Sequence, residues 1–148
     1  MKILPLFFAA VALGPAAHAQ AVADALVPPL AFVALQQQYP QARHVQWKRT
    51  QGWYQASYTQ NQTRRLVRFD TNGDVQATGL GVASSALPAP VRRALTQRFP
   101  NRKICQAAAI TNADTKELTY EMATCESYIS STIILNANGI KAPKARKK

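Results

Sequence analysis

Hydrophobic and polar positions follow two rhythms along this chain, and the order of the rhythms repeats. Residues 27–40 read VPPLAFVALQQQYP, with Ala31, Ala34, Leu35 and Tyr39 at i, i+3, i+4 and i+8. That spacing predicts a helix with a single apolar stripe. Pro28 and Pro29 suit its first turn, where a missing N–H costs little, and Pro40 stops it. Residues 87–100 read LPAPVRRALTQRFP and carry the same stripe in Val91, Ala94, Leu95 and Phe99, with Pro100 as the stop. An offset of 60 superposes Pro28 on Pro88, Ala34 on Ala94, Leu35 on Leu95, Gln37 on Gln97 and Pro40 on Pro100. A repeated unit constrains architecture more than any single residue does.

After each helix the period drops to two, the signature of strands. Val45 and Trp47 alternate with Gln46 and Lys48, and Gln51-Gly52 turns the chain. Tyr54, Ala56 and Tyr58 then share one face. A third strand sets Val67 and Phe69 on one face and Arg64, Leu66 and Arg68 on the other. Asn72-Gly73 suits a type I′ hairpin, because both residues accept positive φ cheaply. Val75 to Leu80 reads as a fourth strand, and Gly79 to Ser85 as a small-residue linker. Residues 54–73 match residues 120–139 at an offset of 66, with Tyr54 on Tyr120 and Asn72-Gly73 on Asn138-Gly139. The second unit has a longer first turn, around Asn112 to Lys116. Its fourth strand is poor, since Gly139 and Ile140 run almost directly into a basic tail.

The predicted fold class is α+β: a tandem repeat of α-β-β-β(-β) units forming one antiparallel sheet of about 7–8 strands, with two helices packed on one face. The opposite face would lie open to water. Residues 1–19 read as a signal peptide, 20–80 as the first repeat, 81–142 as the second and 143–148 as a basic disordered tail. A unit of about 60 residues is marginal alone, so the two are expected to share one core.

The signal peptide follows from Lys2, the apolar run Ile3 to Leu13 and the small-x-small cleavage pattern Ala17-His18-Ala19. That run is too short to span a bilayer. The expectation is a soluble protein, periplasmic or secreted, cleaved near Ala19. Loss of Lys2 takes the formal charge from +11 to +10. Lys141, Lys144, Arg146, Lys147 and Lys148 concentrate part of the excess at the end of the chain. Such a surface is soluble and attracts polyanions weakly. An anionic envelope polymer is therefore one possible partner.

Cys105 and Cys125 are the two cysteines. In an exported chain such a pair reads as a disulfide. A symmetric hairpin around Thr115 sets them opposite each other. The register of the first copy instead equates Cys105 with inward Val45 and Cys125 with outward Thr59, a conflict of one residue. A slip absorbed in the longer turn would point Ile104, Ala108 and Ile110 inward. Closing a loop of about 20 residues would stabilise the fold by roughly 3 kcal/mol.

Catalytic and metal chemistry finds no constellation here. His44, the one histidine past the cleavage site, begins a strand with no serine–acid pair nearby and reads as a surface residue. Asp70-Thr71-Asn72-Gly73-Asp74 lacks the glycine and glutamate spacing of a calcium loop and reads as a turn. No cofactor is implied. The sheet face opposite the helices is the better candidate: Gln46, Lys48, Trp53, Gln55, Ser57, Arg64, Leu66 and Arg68 share it. An aromatic among arginines on a polar face is the composition of a binding surface. It could stack on bases, but no nucleic-acid motif accompanies it. Phe32 and Val33 on the first helix become Arg92 and Arg93 on the second. Phe32 therefore either docks on the other unit or belongs to an exposed contact patch.

The chain resembles the PepSY-like, β-lactamase-inhibitor-like exported proteins of the Bacteroidetes. The resemblance rests on Tyr39-Pro40, Val45-Gln46-Trp47, Tyr54-Gln55-Ala56-Ser57-Tyr58 and Phe69-Asp70-Thr71-Asn72-Gly73. Leu87-Pro88, Phe99-Pro100, Tyr120 and Asn138-Gly139 carry it in the second copy, which has no tryptophan after Phe99-Pro100. It covers nearly all of Val27 to Ile140. It implies a layered α+β fold like that of β-lactamase inhibitor proteins. It also implies a non-enzymatic protein that binds a peptidase or other envelope enzyme through the sheet, with no catalytic residues.

Overall fold

The computed structural model describes residues 20–23, 26–50, 52–125 and 131–142. The signal peptide at 1–19 and the basic tail at 143–148 lie outside them. Eight strands run antiparallel in chain order through one sheet. They are β1 (Gln20–Val22), β2 (Gln46–Thr50), β3 (Trp53–Gln60), β4 (Thr63–Phe69), β5 (Val75–Val82), β6 (Ile104–Asn112), β7 (Leu118–Thr124) and β8 (Thr132–Asn136). Helix α1 (Pro29–Gln38) connects β1 to β2, and α2 (Ala89–Arg98) connects β5 to β6. Both helices pack on the same sheet face, as the periodicity requires.

The eighth strand is not the one the repeat suggested. The lead-in before α1 is itself a strand, and the weak fourth strand of the second unit is a single bridge, Leu135 to Lys141. Gln20, Ala21 and Val22 pair with Arg49, Lys48 and Trp47, while Leu80, Gly81 and Val82 pair with Ala109, Ala108 and Ala107. All six partners are related by the offset of 60, so β5 stands to α2 as β1 stands to α1. The small residues Gly79 to Val82 are therefore strand rather than linker.

The expected single core is instead three clusters. Ala31 and Leu35 of α1 pack on Trp47, Tyr54, Ala56, Tyr58, Val67 and Phe69. Val91 and Ala94 of α2 pack on Ala107, Met122, Ile133 and Leu135. Between them the helix side of β5 is uncovered: Thr78 and Leu80 are exposed. The residues shared by the two units lie on the other face, where Leu66 and Ala77 meet Ala108 and Ile110.

Turn chemistry also departs from expectation at one place. The type I′ hairpin is at Asn61-Gln62, where both φ values are positive, 50° and 61°. At Asn72-Gly73 only the glycine is left-handed, at φ 85°. There the Asp70 carboxylate accepts the backbone N–H of Asn72 (2.8 Å) and of Asp74 (3.0 Å), closing a longer loop. Asn136 repeats this with the N–H groups of Asn138 and Ile140, both at 3.0 Å. The reason is packing. A Cβ on Gly73 would lie 2.6 Å from the Leu30 carbonyl oxygen, and one on Gly139 would lie 2.5 Å from that of Pro90. Each turn is pressed against the first part of its own helix, a contact only glycine allows.

Cys105 and Cys125 form the expected disulfide, with Cα atoms 5.3 Å apart. The one-residue slip is taken up by a bulge at Cys105 and not by the turn: Ile104 pairs with Thr124 while Gln106 pairs with Ala123. A bulge inserts one unpaired residue and reverses facing beyond it. Ile104 consequently packs toward α2, whereas Ala108 and Ile110 face the opposite side.

Candidate functional site

Strand alternation places all eight singled-out residues on the face away from the helices. The register makes them neighbours: Gln46 opposes Ser57, Lys48 opposes Gln55, Gln55 opposes Arg68 and Ser57 opposes Leu66. The expectation that this face is open to water is wrong at its centre. Gln55, Ser57, Leu66 and Arg68 retain only 6%, 8%, 4% and 8% of their exposure. Gln46 and Lys48 are exposed, and Trp53 and Arg64 are half-buried.

The cause is curvature. Strand β5 offers only Ala77, Gly79 and Gly81 to this side. A side chain at Gly79 would collide with Ile110 and reach within 3.3 Å of Leu66. Without one, Leu66 from the first unit and Ile110 from the second close over β5. The sheet is concave here and convex under the helices. Small residues on the inner side of a central strand permit such curling.

Arg68 lies above this buried floor with all three guanidinium nitrogens engaged. Its Nη1 donates to Glu121 Oε1 at 2.8 Å and its Nη2 to Oε2 at 2.5 Å. Its Nε donates to Gln55 Oε1 at 3.1 Å, and Gln55 Nε2 donates on to Ser57 Oγ at 3.2 Å. The guanidinium also lies 4.1 Å from the centre of the Trp53 ring, a cation–π stack. Trp53 is thereby held flat at the edge of the concavity, beside the exposed Lys48.

At the other end of the face Arg64 donates from Nη1 to Gln106 Oε1 at 2.8 Å. A cleft of about 380 Å³ opens next to it, between the starts of β4 and β6 and the end of β5. Burial lowers the Arg64 pKa from its ordinary value.

Two residues of this site were not anticipated, Glu121 and Gln106. Glu121 was within reach of the repeat alignment, because an offset of 66 sets it on Gln55. The two copies of that position thus converge on one arginine. On the helices, Phe32 docks on the core of its own unit and not on the other. Val33 is exposed, as are Leu30 and Leu26.

Nothing in this arrangement is built for metal chemistry. Among the described residues no group of three His, Cys, Asp or Glu side chains is placed to hold an ion. His44 is exposed and outside the face. No helix of the described residues is long and apolar enough to cross a membrane.

A curled antiparallel sheet with two helices on its convex side is the β-lactamase-inhibitor-protein-like (BLIP-like) fold. Solved structures with this architecture superpose on the chain. A Bacteroides eggerthii protein described as periplasmic matches with a TM-score of 0.61 at 16% identity, over 79% of this chain and 86% of its own. A DUF2874 family protein of Bacteroides uniformis gives 0.59 at 16% identity, over 78% and 86%. A BLIP-like protein of Bacteroides fragilis gives 0.53 at 18% identity, over 77% and 82%. Likeness at such identity establishes the fold and not the activity. The sequence matches no known protein family and no curated protein.

Proposed function

We propose that this is an exported, non-enzymatic protein of the PepSY-like type that binds a protein partner through the concave sheet face. The partner class is a peptidase or other envelope enzyme. The observation that carries this reading is the Trp53–Arg68 stack. A large aromatic ring fixed by a buried, ion-paired arginine is a pre-organised anchor, and rigid aromatics at the edge of a concavity favour binding. The exposed side chains of Gln46 and Lys48 extend the contact along β2. The cleavable amino-terminal segment in the sequence supports export, as does the BLIP-like fold shared with a protein described as periplasmic.

The test is capture from an envelope extract by the mature chain, comparing wild type with Trp53→Ala and Lys48→Glu. Arg68 is unsuitable for substitution here because its loss would unsettle the fold. A partner held by wild type and lost by both variants supports the reading. Identical captured proteins for all three would refute it.

A second reading has its own observation. Helix α1 bears no charge, whereas α2 exposes Arg92, Arg93 and Arg98. No acidic residue occurs between Asp74 and Asp114. That surface would hold an anionic envelope polymer, with binding that weakens steeply as salt rises. Binding unchanged by salt would exclude it.

A further inference from the structure

The convex side offers two conspicuous features, the uncovered strip over β5 and the exposed Leu26, Leu30 and Val33, but nothing in the structure shows what would cover either. The cleft beside Arg64 carries more. Its floor is Gly81, where a Cβ would lie 3.0 Å from that of Arg64. The backbone at the end of β5 and the start of β6 lines it, and Gln106 closes one side. Gln106 takes one of the five guanidinium N–H donors. Among the described residues the one carboxylate–guanidinium pair is Arg68 with Glu121, so Arg64 has no counter-ion there. Burial already disfavours its charge.

A half-buried guanidinium beside a cleft, with no acid among the described residues paired to it, is a receptor for one. We infer that this cleft binds a single carboxylate of the protein partner, with Arg64 as the paired cation and Gln106 as the residue that orients it. The inference rests on the binding reading above and names the chemistry it recognises. A carboxylate fits better than a phosphate: one arginine and one neutral amide match a monovalent planar anion, whereas a dianion calls for further donors or cations. The two sources of such a group are an acidic side chain and a chain terminus.

The experiment titrates three blocked peptides into the isotope-labelled mature chain and follows the Arg64 Nε–H, Gly81 and Gln106 signals. Acetyl-Ala-Glu-amide presents a side-chain carboxylate, acetyl-Ala-Ala a free terminus, and acetyl-Ala-Ala-amide neither. Inorganic phosphate is run alongside. Saturable shifts at those three residues with one or both acidic peptides, and none with the neutral one, are expected. Arg64→Gln should weaken binding about tenfold or more, the loss expected for a charge-assisted pair. Gln106→Glu keeps the arginine but supplies an internal carboxylate, so it should abolish peptide binding while the protein stays folded. Shifts spread over the basic surface, equal response to phosphate, or binding unchanged in both variants would overturn the inference. Partner capture by Arg64→Gln separates the two claims. A partner that needs Trp53 but not Arg64 sinks the cleft alone, and no partner for wild type sinks the broader reading alone.

Discussion

Arg68 on β4 and Glu121 on β7 form a two-pronged ion pair although two strands lie between them. In a flat sheet three strand spacings are about 14 Å, and side chains standing perpendicular to it would not meet. The pair therefore reports the curl of the sheet and joins the two repeats across it.

Breaking that pair from one side should be costly. Glu121→Ala leaves a buried guanidinium without its counter-charge, and a loss of about 3–5 kcal/mol is expected. Replacing both partners, Arg68→Met with Glu121→Leu, should recover most of it. Urea unfolding of the single and double variants measures the difference. A single-variant cost below about 1 kcal/mol would mean that the clamp does not hold the curl.

The two turn glycines should be equally intolerant. Gly73→Ala and Gly139→Ala each combine a left-handed backbone with a collision against a helix carbonyl, and each should cost about 2 kcal/mol or more. Gly73→Asn discriminates between the causes, because asparagine accepts the φ angle but not the contact. Thermal unfolding of Gly73→Asn close to that of Gly73→Ala assigns the cost to the helix approach; recovery toward wild type assigns it to backbone strain.

The disulfide closes 20 residues within the second unit. Cys105→Ser with Cys125→Ser should lower stability by about 3 kcal/mol and leave the circular dichroism of the sheet unchanged. Because Cys105 is exposed, a mild reductant should reproduce the effect in the folded protein. A shift well under 1 kcal/mol would show that the bulged hairpin holds its register without the bond.

Alkaline pH should destabilise the first unit. Burial raises the pKa of Tyr39 and Tyr58, and their mutual repulsion raises Tyr58 further despite Arg65. The folded state thus keeps protons that the unfolded chain sheds near pH 10. Stability is level below that value and falls as pH rises through the interval up to the folded pKa values. Tyr58→Phe should flatten the decline above about pH 10. An identical slope in the variant would exclude Tyr58 as its source.

Much of the fold was legible because it is written in local periods. The stripes of Ala31, Leu35, Val91 and Ala94 became the buried helix faces, and the parity of Trp47, Tyr54 and Phe69 held through three strands. Gln46, Gln55, Leu66 and Arg68 were grouped on one sheet face for the same reason. The type of the Asp70–Asp74 turn was not legible, because Gly73 answers to a helix 40 residues away. Strand β1 was missed because three residues are too few to show a period.

By itself the sequence determined which residues share a face, where the helices start and stop, and that the two units are copies. Side-chain direction alternates with chain geometry alone, so neighbours along the chain suffice to define it. Only the tertiary structure decided that the face opposite the helices closes at its centre, that Arg68 is spent on Glu121 while Arg64 is left with Gln106, and that Cys105 bulges. Curl accumulates strand by strand through missing side chains such as that of Gly79, and contacts spanning β4 to β7 have no counterpart in any local pattern.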